Sequence, residues 1–199
     1  MDFMEKMSET CLEQIFYGAR THNKWFDKPV MEGKLQEVYE LMRLGPTSAN
    51  CSPLRVFFLQ SKEAKERLKL HLSPGNVDKT MAAPVTALLA YDLEFYENLP
   101  YLFPFAEAKS WFEGKKEFTE TTAFRNSSLQ GGYFILAARS CGLDCGPMSG
   151  FSHEGIDKEF FPEGRFKSNF LCNLGMGDPD GLPGPRAPRL SFDEACKIL

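Results

Sequence analysis

The chain has 199 residues, of which 43% are hydrophobic, 25% are charged and 13% are aromatic. This is the composition of a globular protein with a sizeable core, and 18 phenylalanines exclude disorder as the dominant state. The net charge of −4 argues against a nucleic-acid surface, and no run approaches the roughly 20 apolar residues of a membrane span. We therefore expect one domain over residues 1–199, with no nucleic-acid partner and no membrane.

The N-terminal sequence and the cysteines bear on the compartment. Residues 1–10 have neither a basic start nor an apolar stretch, so they do not resemble a secretory signal. Without such a signal, the cysteines are expected to be reduced thiols, which favours a cytoplasmic location. They are Cys11, Cys51, Cys141, Cys145, Cys172 and Cys196.

Apolar spacing predicts two helices near the N-terminus. Apolar residues recur at helical spacing over residues 12–19, and Thr10 with Glu13 forms a candidate capping box before them. The same spacing over residues 35–42 predicts a second helix, which the Gly-Pro pair at 45–46 ends.

Two strands and a charged helix are predicted next. Residues 54–60 are rich in β-branched and aromatic side chains, which is typical of a strand. Ser61 is then placed to cap a charged helix that reaches about residue 72. The continuous apolar run at 84–91 indicates a buried strand, whereas the aromatic-rich residues 93–113 show no clear pattern.

The C-terminal half is dominated by one long helix. It is predicted over residues 119–141, with Gly142 at its end and a centre poor in charge that should be buried or packed against a partner. A short helix over about 153–160 and a third strand over 170–176 follow.

The last part of the chain is predicted to be an ordered arm and a final helix. Gly and Pro fill seven of the thirteen positions of residues 177–189, a density that no packed helix or strand tolerates. Ser191 and Glu194 form a capping box that should open a helix to Leu199. Several helices around a few strands, without regular alternation, indicate the α+β class.

Four polar segments at the ends of these elements are candidate binding sites. Their cationic groups could close on a phosphate, the Ser/Thr/Asn side chains could bond a sugar or a ring edge, and the glycines would allow a flat ligand to approach the backbone. Each segment also has a purely structural interpretation, as a helix terminus or a turn. The segments are residues 20–24, 46–53, 146–150 and 186–189.

Two hydrolase alternatives are open on sequence alone. Cys141 and Cys145 have a spacing that zinc sites use, but Cys172 and His153 would have to complete the set. A cysteine nucleophile at position 51 would need a base such as His22, and no local pattern orients the two. We therefore expect no metal site and no protein nucleophile.

Taken in order, long blocks of the sequence resemble the nitroreductase family of flavin-dependent oxidoreductases, from about residue 12 to residue 199. Within that family the chain is most similar to the malonic semialdehyde reductase branch of pyrimidine degradation. The resembling blocks are residues 19–25, 45–53, 83–92, 95–104, 109–112, 123–130, 146–151, 167–178 and 188–196.

The resemblance implies a nitroreductase-like fold, with a mainly antiparallel central sheet flanked by helices, in an intertwined homodimer. It further implies one FMN per active site at the subunit interface, with NADH or NADPH as the reductant. Hydride transfer through the flavin N5 would be ping-pong, so no protein residue is expected to be catalytic in the narrow sense. The expected reaction converts malonic semialdehyde to 3-hydroxypropanoate; the alternatives are a general nitroaromatic or quinone reductase and a flavin-binding member without reductase activity.

The same resemblance assigns flavin contacts by position. One protomer would contribute cations and amides around the phosphate, the ribityl chain and the pyrimidine edge, a backbone stretch beside N5, and two arginines that complete the phosphate clamp. The partner would contribute four polar side chains of one loop. The first set is Arg20, His22, Lys24, Asn76, Lys79, Pro147, Met148, Ser149, Gly150, Arg186 and Arg189, and the second is Thr47, Ser48, Asn50 and Ser52.

Two positions depart from the family pattern. Many nitroreductases have glutamine where Ser52 stands and glutamate where Ser149 stands. Both changes fall near the ring and the nicotinamide, so we expect them to affect donor preference and substrate shape more than FMN binding.

Overall fold

A four-stranded sheet organises the computed structural model, which describes residues 5–199. Its strands are hydrogen bonded in the order β1-β2-β4-β3, and every neighbouring pair is antiparallel. This confirms the α+β class and the mainly antiparallel sheet. The strands are β1 (Leu54–Leu59), β2 (Val85–Asp92), β3 (Asp144–Met148) and β4 (Phe166–Gly175).

Helices flank this sheet on both faces. All eight residues of β2 are buried, which explains why its sequence is mostly apolar rather than alternating. The α-helices are α1 (Glu9–Leu12), α2 (Glu32–Met42), α3 (Lys62–Lys69), α4 (Pro74–Ala82), α5 (Leu99–Leu102), α6 (Lys116–Ser140), α7 (His153–Phe160) and α8 (Phe192–Ala195).

The long helix α6 packs on one face of the sheet together with α2. Phe134 of α6 is 1% exposed and lies in one buried cluster with Val38 of α2 and Leu89 of β2. A Cβ atom on Gly131 would lie 2.5 Å from the ring of Phe170, so glycine permits this close approach of helix and sheet. The helix ends as predicted, with Gly142 at a φ of +77° just after it.

The opposite face of the sheet carries α3 and α7. Leu68 of α3 and Ile156 of α7 are fully buried against Leu88 and Leu171 of the sheet. Consecutive residues of β2, such as 88 and 89, therefore enter different cores, as the two-residue period of a strand requires.

The structure corrects four details of the predicted elements. The proposed cap of the first helix is wrong: Ser8, not Thr10, caps it by accepting from the Cys11 N–H, and a π-helical turn follows from Glu13 to Tyr17. The helix α4 was not predicted, because its first residues, Pro-Gly-Asn, are typical of a turn.

The other two corrections concern β3 and the C-terminus. Strand β3 contains Gly146 and Pro147, which disfavour a strand by propensity, and it is tolerated because β3 is an edge of the sheet. The capping box of Ser191 and Glu194 is present, but α8 has only four residues and none is buried. A short helix without a buried face is not stable in water, which explains why α8 does not continue to Leu199.

Candidate functional site

Residues 20–24 run beside the edge strand β3. Thr21 forms a parallel bridge with Cys145, and the N–H of His22 donates to the Cys145 carbonyl at 3.0 Å. The His22 side chain is 7% exposed, with Nε2 3.5 Å from Asp144 Oδ1 and a buried Nδ1 that has no hydrogen-bond partner. Three predicted site residues, Arg20, His22 and Lys24, are thus arrayed along one edge of the sheet.

Helix α4 places Asn76 and Lys79 at the loop that follows β3. Asn76 Nδ2 donates to the carbonyl of Gly150 at 2.7 Å, and the Ser73 N–H donates to the same carbonyl at 3.0 Å. Lys79 lies three residues along the helix from Asn76, on the same side. The predicted pair and residues 147–150 are therefore together in the structure.

The other end of α4 is fixed by three donor side chains that are buried or half-buried. The Lys79 carbonyl accepts from Trp25 Nε1 at 3.1 Å and from Asn173 Nδ2 at 3.2 Å. The Nζ of Lys65, whose side chain is buried, donates to the carbonyls of Thr80 and Ala83. Burial lowers the pKa of Lys65 to about 8. The sequence offered one signal for Lys65, its three-residue spacing from the buried Leu68.

The C-terminal arm returns to the segment that carries Arg20. Arg20 Nη2 donates to the Gly184 carbonyl at 2.6 Å, and Arg186 Nη2 donates to the carbonyls of Tyr17 and Ala19 at 2.7 Å. Arg189 donates within its own loop, to the carbonyls of Ala187 and Pro188. Arg20 and Arg186 therefore tie the C-terminal arm to the segment beside β3, whereas the contacts of Arg189 stay within its own loop. Arg20 is half-buried, and Arg186 and Arg189 are exposed.

The loop 47–52 has an unusual backbone. Ala49, Asn50 and Ser52 have φ values of +48°, +50° and +38°, in the left-handed region that non-glycine residues rarely adopt. Such residues cost about 1–3 kcal/mol each and persist only where their surroundings hold them, commonly at functional sites.

Hydrogen bonds fix the polar residues of this loop. The Ser52 N–H donates to Thr47 Oγ1 at 3.1 Å, and the Ser48 N–H donates to Asn126 Oδ1 at 2.9 Å. Asn50 Nδ2 donates to the Leu102 carbonyl at 2.9 Å. The four predicted residues of the loop therefore form one structured unit.

The loop lies away from the other predicted residues. It precedes β1, whereas residues 20–24 and 147–150 border β3, and β1 and β3 are opposite edges of the sheet. Three strand spacings separate these edges, about 14 Å at the usual spacing. The predicted residues therefore fall into two groups, one half-site beside β1 and one half-site beside β3.

The structure does not bring together the residues of either hydrolase alternative. Cys51 borders β1 while His22 borders β3, and burial raises the pKa of the Cys51 thiol to about 11, which disfavours the thiolate. His153, a candidate zinc ligand on sequence, has its Nδ1 2.9 Å from Ser168 Oγ. Within residues 5–199, no three His, Cys, Asp or Glu side chains are grouped to hold a metal ion.

Helices long and apolar enough to cross a membrane are also absent from the described part of the chain.

Among residues 5–199, Lys24 and Lys79 take part in no ion pair within 4.0 Å, so neither charge is neutralised by a carboxylate. The region beside β3 therefore has two lysine charges without a carboxylate partner, alongside the Asp144 carboxylate that faces His22.

Comparison with known proteins identifies the family. The sequence model of the Nitroreductase family matches residues 18–175. A "Putative NADH dehydrogenase/NAD(P)H nitroreductase" of Polynucleobacter asymbioticus is 57% identical over 193 residues, which cover 97% of this chain and 98% of that protein. A protein with the same description from Cupriavidus pinatubonensis is 56% identical over 190 residues, which cover 94% of this chain and 96% of that protein.

A solved structure described as a nitroreductase has a similar fold. A "putative nitroreductase in complex with FMN" from Exiguobacterium sibiricum superposes with a TM-score of 0.84 at 18% identity, covering 98% of this chain and 100% of that one. The chain belongs to the nitroreductase family, as its sequence resemblance implied.

Proposed function

We propose that the protein is an FMN-dependent NAD(P)H oxidoreductase. The observation that carries this proposal is the donor-rich half-site at the β3 edge, where residues 20–24, 147–150 and helix α4 meet. The names of the sequence relatives support NADH or NADPH as the reductant, and the FMN bound to the Exiguobacterium sibiricum protein supports the cofactor.

The residues present fit FMN by their chemistry. The flavin phosphate is close to a dianion at neutral pH, and Arg20, Arg186 and Arg189 would hold it with charge-assisted hydrogen bonds. Asn76 offers an amide to the pyrimidine edge. Bound FMN supplies the hydride chemistry between the nicotinamide and the second substrate.

Beyond binding, this chain's own residues would tune and position the ring. Lys24 and Lys79 would place positive charge beside the pyrimidine edge, which favours the anionic reduced form. The backbone of residues 147–150 would run along the N5 side, and the bond from Asn76 to Gly150 would hold that stretch in place. No side chain of this set is assigned the transfer of the hydride itself.

A titration tests the cofactor assignment. Flavin-free protein is expected to bind FMN at least tenfold more tightly than riboflavin, about 1.4 kcal/mol, because only FMN meets the arginines. Quenching of flavin fluorescence measures both constants. Equal affinity for the two flavins would contradict the phosphate clamp, and binding of neither would contradict the proposed function.

We further propose an intertwined homodimer, in which a second copy supplies Thr47, Ser48, Asn50 and Ser52 to each flavin. The separation of the two half-sites supports this arrangement. So does the exposure of apolar side chains on the C-terminal arm, since Leu190 is 71% and Phe192 63% exposed in a single chain.

Light scattering is expected to give a dimer, and its interface should bury more than about 2,000 Å², the scale of obligate partners. Deleting residues 190–199, which removes Leu190 and Phe192 but keeps the three arginines, should yield monomers with little bound flavin. A full-length monomer that binds one FMN with wild-type affinity would contradict the shared site.

The proposed substrate is a small aldehyde that carries a carboxylate, malonic semialdehyde, reduced to 3-hydroxypropanoate. This rests on the resemblance to one branch of the family and on the serine at position 149, where many nitroreductases carry a glutamate. Nitroaromatic compounds and quinones are the alternative acceptors. Steady-state kinetics with malonic semialdehyde, nitrofurazone and a quinone side by side decide between them.

A cytoplasmic location is also proposed, supported by six cysteines that are all free.

Ser149→Glu is expected to lower kcat/KM for malonic semialdehyde about tenfold more than for nitrofurazone, because the new charge repels only the anionic substrate. Ser149→Gln is the matched control, since it has the length of glutamate without its charge, and it should affect both substrates equally. Equal losses for both substrates in Ser149→Glu would remove the local support for an acidic aldehyde.

A further inference from the structure

The strained loop 47–52 is tied to the sheet by one arginine. Arg55, the second residue of β1, donates from Nη1 to the Ser52 carbonyl at 3.0 Å and to the Leu54 carbonyl at 2.8 Å. Its Nη2 donates to Asp92 Oδ2 at 2.7 Å. The guanidinium therefore joins the end of the loop directly to the end of β2.

Asp92 anchors this arginine from inside the protein. The Asp92 side chain is fully buried, and Oδ1 accepts from the Glu94 N–H at 2.9 Å. Arg165 donates to both carboxylate oxygens, at 2.9 and 2.8 Å. The main chain adds a further link, because the Asp92 N–H donates to the Pro53 carbonyl at 3.0 Å.

The two arginines differ in what they reach. Both bind Asp92, but only Arg55 also contacts the loop, whereas Arg165 contacts Glu94 at 3.5 Å. A left-handed residue such as Ser52 needs contacts that hold its backbone, and the Arg55 bond falls on its own carbonyl. A guanidinium is suited to this position because its planar fork can bind a carboxylate and carbonyls at once.

We propose that Arg55, held by Asp92, is a positioning residue that presents the loop 47–52 to the flavin of the partner subunit. Neither residue needs to touch the cofactor. The pair sets the Ser52 carbonyl, which fixes the path of the backbone between Thr47 and Ser52. This inference rests on the proposed function, because it assumes that the loop contacts FMN.

Two variants separate positioning from general stabilisation. Arg55→Gln removes the bonds to both Asp92 and Ser52, and Arg165→Gln removes the second arginine of Asp92 without touching the loop. Arg55→Gln is expected to raise the Kd for FMN about tenfold, because the released loop must be ordered again on binding, and to change the visible circular dichroism of bound flavin. Arg165→Gln should change the Kd less than about twofold and leave that spectrum as in the wild type.

A third variant guards against misfolding. Arg55→Lys keeps the positive charge beside Asp92 but has one donor centre in place of the fork, so it should fold and raise the Kd about threefold. Equal losses of affinity in Arg55→Gln and Arg165→Gln would overturn the inference, as would wild-type affinity in both Arg55 variants. A wild-type protein that binds no FMN would instead overturn the proposed function, and this inference with it.

Discussion

Asp92→Asn is expected to lower the free energy of unfolding by about 3 kcal/mol at neutral pH, within the range for breaking a buried ion pair. The substitution keeps the shape of the side chain but removes the charge that two arginines share. Urea unfolding at matched protein and FMN concentrations measures the difference, since ligand binding and association add to apparent stability.

The effect should depend on pH. Burial alone would raise the pKa of the Asp92 carboxyl, but hydrogen bonds from Arg165 and the Glu94 N–H, with the charge of Arg55, bring it below its usual value. A carboxyl whose pKa is lowered by folding stabilises the protein above its unfolded-state pKa, near 3.9, and this contribution is lost as the pH falls through the folded-state value. The difference between wild type and Asp92→Asn should therefore be complete at pH 7 and shrink below about pH 4.

The exposed pair of Lys109 and Glu97, 2.8 Å apart, provides the control for this experiment. Glu97→Gln should cost less than about 1 kcal/mol, because surface ion pairs are screened by water. If Asp92→Asn cost no more than Glu97→Gln, the buried network would not be a major source of stability.

Removing two arginines of the proposed phosphate clamp should have the second large effect. Arg20→Ala alone is expected to weaken FMN binding by at least about 1.5 kcal/mol, and the double variant with Arg189→Ala by about 3 kcal/mol. Retention of FMN through dialysis, read from the visible absorbance, measures the loss. Riboflavin affinity should change little, since it has no phosphate.

Arg43→Ala is the matched control for the clamp, because Arg43 pairs with Glu40 on its own helix, at 2.8 Å, and has no assigned ligand. It should retain flavin as the wild type does. Full retention of flavin by both Arg20→Ala and Arg189→Ala would show that the phosphate is held elsewhere.

Apolar patterns predicted those elements whose stability depends on a buried face. Helical spacing predicted α2, a continuous apolar run predicted β2, and a centre poor in charge followed by Gly142 predicted most of α6. Elements that depend on tertiary contact were missed. Strand β3 contains glycine and proline and exists because β4 pairs with it, and α4 begins in a turn-like sequence and is fixed by donors such as Asn173.

The family resemblance predicted the residues of the candidate site, but it did not predict the contacts that hold them in place. The loop 47–52 was expected to be polar and functional, whereas its three left-handed residues and the Arg55–Asp92 anchor depend on a backbone that no local pattern encodes. Lys65 was treated as part of a charged helix face, and only folding shows that its side chain closes the end of α4.

The central claim, an FMN-dependent oxidoreductase that uses NAD(P)H, is tested most directly by two half-reactions under argon. Purified holoprotein is expected to lose its yellow absorbance on addition of one equivalent of NADH or NADPH, and to regain it when malonic semialdehyde or nitrofurazone is added. A protein that carries stoichiometric FMN, yet keeps its colour with both nucleotides and gains none back from either acceptor after chemical reduction, would contradict the account.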